Sequence, residues 1–534
     1  MSEPTIEPTS QTTAEPAAPR TARRVPPPPP PRSRGLFIGI VVGINIVIAL
    51  ALFMVVYLTD SGTDDRTRAA WLVRVGFGAS AVMLAIGYLQ LQRKHIGLFA
   101  LCLGHFIWFA WPAVLTLEEG RFVGDLAAYR VPDDSVVTAA LLTSFFFMVS
   151  LATYALFSRL APLDPPDFVR KLERAKRVLP TLGWFLTILF VLGVVPFLLY
   201  GGGIREVISG ILAARSSEKP WSMGAHIVNE NGPVVVIGRA ALATFSGLAL
   251  WLTVSRRRFG LSGGATAAAL FFGVLGLLVT YFDSGTRSWT IIIIGPTLVA
   301  AFVGRLSRRR LVRGGLTALG LFLAVTATVQ LQRYYRFTAS IEGITLSDVF
   351  YIQDNDFFTE TAIAVDLVPR QTPYIQQFEP ILFVTNPIPR YLWEEKPYSK
   401  TVRYYSLGRS GFDEYLRTGT SRMPSIVGQH WMSWGIAGVA GIAIFWGWAF
   451  AFFDSLYRRS PDASLASFLA MLGIVWLFLS WRGLYPGFHY PVVLVSLIVW
   501  WMRRTVDRAE RELPAAVSEP VAERVARRDA TARS

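Results

Sequence analysis

The chain has 534 residues, 52% of them hydrophobic and 13% aromatic, with a mean hydropathy of +0.41, which is too apolar for an ordinary soluble protein. Its formal net charge of +15 does not indicate nucleic-acid binding, because much of the excess lies in the two termini and in short connectors on alternate sides of apolar runs. A single cysteine, Cys102, excludes an intrachain disulfide and most thiolate metal sites.

In chain order, residues 1–34 contain RRVPPPPPPRSR, a polar, basic and proline-rich segment that cannot bury a core and is expected to be a disordered cytoplasmic tail. The first apolar run, 35–58, is longer than a secretory h-region of about 7–15 residues and reads as a retained membrane helix. It opens a series of about twelve spans: 35–58, 69–91, 96–117, 135–158, 178–200, 233–254, 261–282, 289–306, 315–331, 435–456, 464–481 and 486–502. Alternate connectors are basic, as in QRKH (92–95), SRRRFG (255–260), SRRRLVRG (307–314) and YRRSPD (457–462), and these are expected to face the cytoplasm with both termini. The domain plan is therefore the tail 1–34, spans 1–9 over 35–331, an extracytoplasmic cap over 332–424, spans 10–12 over 425–502, and a basic cytoplasmic tail over 503–534. The long outer loop is rich in charge and aromatics, so a small, mostly helical folded cap is expected there between spans 9 and 10.

Within that loop, FVTNPIPRYLWEEKP (383–397) is the most unusual stretch. Ile388 precedes a proline and is pushed toward an extended conformation, while Pro389 suits the first position of a helix, so a short helix over 389–396 is expected. Its free N–H groups with Arg390 would make an anion site, and the alternative is a turn in which Arg390 pairs with Glu394 or Glu395. Arg287, in the turn YFDSGTRSW, and Arg482, in SWRGLYPGFHYP, lie at the same leaflet, where topogenic arginines do not belong. Guanidinium forks suit phosphate oxygens, and a lipid-linked diphosphate at the outer surface fits such a set.

The stretch NPIPRYLWEEKP resembles the signature of Wzy-type O-antigen and exopolysaccharide repeat-unit polymerases, in which Asn-Pro-Ile-Pro-Arg-x-x-Trp-x-x-Lys-Pro lies in the large outer loop. SGTRS (284–288), MPSIVGQHWMSWGIAG (423–438) and Arg482-Gly483 resemble further motifs of that family, in the same order. The chain departs from the pattern at Gln429, where the family has Glu, and at Thr286 in place of Ser. Gln429 cannot act as a base, and the adjacent His430 is a candidate substitute.

The resemblance implies an all-α integral membrane protein, a GT-C-like and metal-independent glycosyltransferase without a cofactor. It would move a growing chain from its lipid carrier to an incoming repeat unit at the outer face of the cytoplasmic (inner) membrane. Its donor and acceptor would be polyprenyl-diphosphate-linked oligosaccharides, with membrane lipids, a chain-length regulator and a flippase as candidate partners and no nucleic acid. Arg287, Arg390 and Arg482 are assigned to stabilise charge on the leaving diphosphate, with Lys396 and Arg403 as further cations. Asp283, Glu394, Glu395 and His430 are candidates for the base that activates the acceptor hydroxyl. Aromatic residues of the cap, Trp393 among them, are candidates to stack on sugar. DND (354–356) is a lone Asp-x-Asp, and no metal site of credible spacing is expected. Two other readings are a related transferase, such as a polysaccharide ligase, and a lipid-linked glycan transporter. The latter would carry ionisable groups deep in its spans, where only Arg74 and Arg239 are candidates.

Overall fold

The computed structural model describes residue 43 and residues 64–114, 131–160, 179–200, 203–212, 232–284, 287–303, 356–385, 388, 392–410, 423–460, 464–484 and 488–512. The expected tail 1–34, the span at 35–58 apart from residue 43, the span at 315–331, the DND motif's first two residues, Arg390 and the end of the C-terminal tail lie outside the described residues.

Among the described residues the protein is all-α, with eight helices long and apolar enough to cross a membrane. They are Asp65–Gln90, Ile96–Val114, Asp133–Leu160, Thr181–Leu199, Val235–Val254, Gly263–Phe282, Ser425–Arg459 and Leu465–Arg482, and each matches one of the expected spans. Two further expected spans are present as helices with a different character. Ser288–Val299 is a shorter apolar helix, and the helix Tyr490–Glu512 takes up Arg503, Arg504 and Asp507 beyond its apolar start.

Local chemistry accounts for helix starts and for polar groups inside apolar runs. Asp64 accepts a hydrogen bond from Thr67 N–H at 3.3 Å to cap Asp65–Gln90, and Ser464 does the same for Ser467 at 3.1 Å. Within the spans Thr143, Thr244, Ser246 and Thr280 each donate their hydroxyl to the carbonyl four residues back, which satisfies these four hydroxyls in an apolar setting. Large side chains such as Trp184, Leu198, Phe271, Ile444 and Phe452 point outward from the bundle, as a lipid-facing surface requires.

The helix Ser425–Arg459 organises the molecule. It packs along Asp133–Leu160, with Ser150 Oγ donating to Ala443 O at 3.1 Å across the contact. It is broken by non-helical backbone at Trp434 and Gly435 (φ 59°, ψ −144°). Only glycine tolerates that conformation readily, and a Cβ there would also meet the Tyr374 ring at 3.3 Å. The break frees carbonyls of the preceding turn, and the cap takes them: Ile375 N–H donates to Met432 O at 2.9 Å and Gln376 N–H to Ser433 O at 3.0 Å.

The described part of the cap has helices Phe357–Leu367, Ile381–Thr385 and Lys400–Ser410. The first is buried almost throughout, capped by Asp356 and bonded to the bundle through Thr361 Oγ1 and Ser425 Oγ at 2.7 Å. The expected helix over 389–396 does not form over its described residues. Residues 392–396 make a turn closed by Lys396 N–H to Trp393 O at 3.1 Å, and residues 389–391, where the expected helix would begin, lie outside the described residues.

At the end of the bundle away from the cap, Asp454 is fully buried. Its carboxylate accepts from Gly97 N–H at 2.8 Å and Tyr154 O–H at 2.6 Å, lies 3.1 Å from His95 Nδ1, and is 3.4 Å from Arg458 Nε. One acid thus ties three helices together beside the basic connectors.

Candidate functional site

Ring contacts bring three distant sequence segments to one place. Trp289, two residues after Arg287, meets Phe488 edge to face at 5.2 Å. The next residue, His489, stacks on Phe383 at 4.1 Å, and Phe383 opens the proline-rich stretch. The helix that follows SGTRS, the start of the proline-rich stretch and the segment after Arg482 therefore share one patch at the cap end of the bundle.

The second part of the site is polar and hangs from the kink. Residues 373–378 are irregular and are fixed on one side by the Ile375 and Gln376 hydrogen bonds to the kinked helix. On the other side Gln377 Nε2 donates to Tyr398 O and Gln377 Oε1 accepts from Lys400 N–H, both at 2.6 Å. Trp434 Nε1 donates to Gln377 O at 3.2 Å. This clamp sets Glu379 against residues 399–401. Glu379 is 2% exposed, and its Oε1 accepts from Ser399 Oγ at 3.1 Å and from Thr401 Oγ1. Burial pushes its carboxyl up, while the hydrogen bonds from Thr401 and Ser399 pull it down less strongly.

Gln429 sits beside this carboxylate and reaches the other way to the arginine turn. Its Oε1 accepts from Leu484 N–H at 2.9 Å. The amide lies close enough to Glu379 to favour its ionised form, yet neither Gln429 Nε2 nor Glu379 Oε2 completes a hydrogen bond. Gly483 links the turn to Arg482 with φ of +139°, and a Cβ there would come within 2.8 Å of Met423 Cε and 3.3 Å of Gln429 Oε1. Arg482 itself is exposed, and it pairs with no acid among the described residues.

The other cations differ in how they are engaged. Arg370 bonds Asp134 and Asp366, and Arg409 is buried against Glu360 at 3.0 Å, so both are committed to holding the cap. Lys396 is buried, with Nζ donating to Ile388 O at 2.8 Å beneath the turn. Arg403 is exposed and lies over the Tyr398 ring at 5.3 Å.

Of the remaining expected residues, Trp393, Glu394 and Glu395 are exposed on the turn over 392–396. His430 Nδ1 donates to Ile426 O at 2.9 Å along its own helix, which leaves Nε2 as the acceptor of the neutral ring. Asp283 and Arg287 stand at the facing ends of the helices Gly263–Ser284 and Arg287–Val303, and their side chains lie outside the described residues. Glu379 was missed by sequence reasoning: it belongs to no motif, and only its Phe-Glu-Pro setting beside a charged loop marked it.

Among the described residues no three of His, Cys, Asp and Glu converge closely enough to hold a metal ion. No protein-family model, curated protein sequence or solved structure matches the chain.

Proposed function

We propose that this protein is a membrane glycosyltransferase of GT-C-like, twelve-span architecture that polymerises polyprenyl-diphosphate-linked oligosaccharide repeat units at the outer face of the cytoplasmic membrane. The observation that carries the reading is the Trp289–Phe488 and His489–Phe383 contacts, which bring together the helix that begins at Arg287, the first residue of the stretch containing Arg390, and the segment after Arg482. That end is opposite the basic connectors and the Asp454 network, and the positive-inside bias would make it the outer one.

In the transfer, the acceptor hydroxyl attacks the anomeric carbon as the bond to the diphosphate oxygen breaks. Negative charge grows on the leaving diphosphate. Arginines held on short turns in a site that excludes water would stabilise that charge without reorganising, an effect worth several kcal/mol of barrier. Arg482 suits this role because it is exposed on a turn whose backbone is fixed by Gln429 and Gly483. The exposed Trp393 and Arg403 would border the bound glycan.

The test is the size distribution of lipid-linked and surface glycans in cells lacking the protein and in cells carrying Arg482→Ala or Arg390→Ala. Loss of long chains with retention of single repeat units is expected. Long chains accumulating on the lipid carrier would make the protein a ligase, and repeat units trapped on the cytoplasmic face would make it a transporter.

A further inference from the structure

Activation of the attacking hydroxyl needs a proton acceptor, and the carboxylates of the turn, Glu394 and Glu395, are exposed to solvent. Glu379 is different in kind. It is almost wholly buried, and one of its oxygens makes no hydrogen bond while the other is held by two hydroxyls. Of those hydroxyls, Thr401 is fully buried, whereas Ser399 is only half-buried and so forms the reachable end of the network. Ser399 Oγ also lies 3.2 Å from Thr401 Oγ1 and accepts from Val402 N–H at 3.3 Å as the cap of the helix Lys400–Ser410, so its position is fixed from three sides. Gln429 lies beside the set and is bonded through its Oε1 to Leu484 N–H in the Arg482 turn. A purely structural clasp between segments 373–379 and 399–401 would be expected to satisfy both carboxylate oxygens, since a bare buried oxygen costs about 1–3 kcal/mol.

We infer that Ser399 and Glu379 form a proton relay for a substrate hydroxyl, which on the polymerase reading is the sugar hydroxyl of the acceptor repeat unit. The hydroxyl oxygen forms the new bond to the anomeric carbon, and the electron pair of the broken bond leaves with the diphosphate. The hydroxyl proton passes to Ser399 Oγ as Ser399's own proton passes to Glu379 Oε1. Glu379 ends neutral, and the negative charge it carried reappears on the diphosphate beside the arginines. Burial that disfavours the ionised carboxylate makes this proton uptake easier and moves its basicity toward the working pH. Ser399 is the residue that touches substrate, and Glu379 acts through it.

The experiment uses the full-length protein in lipid with a synthetic polyprenyl-diphosphate oligosaccharide, following kcat and KM across pH for wild type, Glu379→Gln, Ser399→Ala and Ser399→Thr. Glu379→Gln is expected to lose about 100-fold or more in kcat with KM unchanged. It should also abolish an acid limb that in wild type lies above the ordinary glutamate range. Ser399→Ala should lose turnover and Ser399→Thr, which restores a hydroxyl, should regain it. Retention of kcat within about threefold in Glu379→Gln, or in Ser399→Ala, overturns the relay while leaving the polymerase intact. If Glu379→Gln does not fold, the Ser399 pair decides, because it leaves the carboxylate and its Thr401 contact in place. If wild type makes no polymer from this substrate, the polymerase reading itself fails and the relay falls with it.

Discussion

Two buried carboxylates at opposite ends of the bundle are treated in opposite ways. Asp454 is met by a backbone N–H, a tyrosine hydroxyl, a histidine and an arginine, and both of its oxygens are used. Glu379 has one oxygen held by hydroxyls and the other without a hydrogen bond, beside a Gln429 Nε2 that makes none either. A fully satisfied buried acid rigidifies its surroundings, whereas a half-satisfied one is destabilising in proportion to its charge. The first arrangement suits a joint between helices, and the second suits a group that changes protonation.

The comparison is broken most severely by Asp454→Ala, which removes the acceptor shared by Gly97 and Tyr154 and the ion-pair partner of Arg458. A loss of about 3–5 kcal/mol in stability is expected, read as a large fall in thermal midpoint in detergent. Arg482→Ala should instead leave the midpoint nearly unchanged and cut turnover about 100- to 1000-fold, measured with the same synthetic substrate. Gly483→Ala lies between these, because φ of +139° and the Met423 contact both oppose a side chain. A cost of about 1–3 kcal/mol is expected, together with reduced turnover as the Arg482 turn shifts.

The smallest stability effect should come from Glu379→Gln, within about 1 kcal/mol, since the amide mimics the neutral acid that burial favours. Its signature is in pH dependence. The folded carboxyl is raised, so the folded state holds its proton more tightly than the unfolded chain does. The stability contributed by Glu379 is therefore full below the unfolded pKa and is lost as pH rises through the folded one. Thermal midpoints across pH should show that fall in wild type and a flatter line in Glu379→Gln. A fall of equal size in both would assign it to other groups.

The eight described membrane-length helices were legible because about twenty apolar residues in a row have few other fates. The expected start of a span at 435 even coincides with the break at Trp434 and Gly435, although the helix itself extends back to Ser425. At the site, Arg482 and Gln429 could be singled out by neighbouring Gly and Pro and by motif resemblance. Glu379 could not, because its importance comes from contacts with residues 20 and 22 positions later. Local pattern also predicted a helix after Pro389, yet the described part of that stretch is a turn over the buried Lys396. Lysine propensity carried no sign that its ammonium would bind Ile388 O.

The sequence by itself determined that the described part of the chain is built on apolar helices, because hydrophobic length and the spacing of charge act locally and need no partner. Only the tertiary structure decided which charges are committed to structure and which stay available. Arg370 and Arg409 are paired with acids far away in the chain, while Arg482 is not so paired among the described residues. It also decided which carboxylate is left half-satisfied, since that follows from a helix break at Gly435 whose freed carbonyls hold the segment bearing Glu379. The physical reason is the same in both cases: burial and hydrogen-bond satisfaction depend on what the rest of the chain brings to a residue.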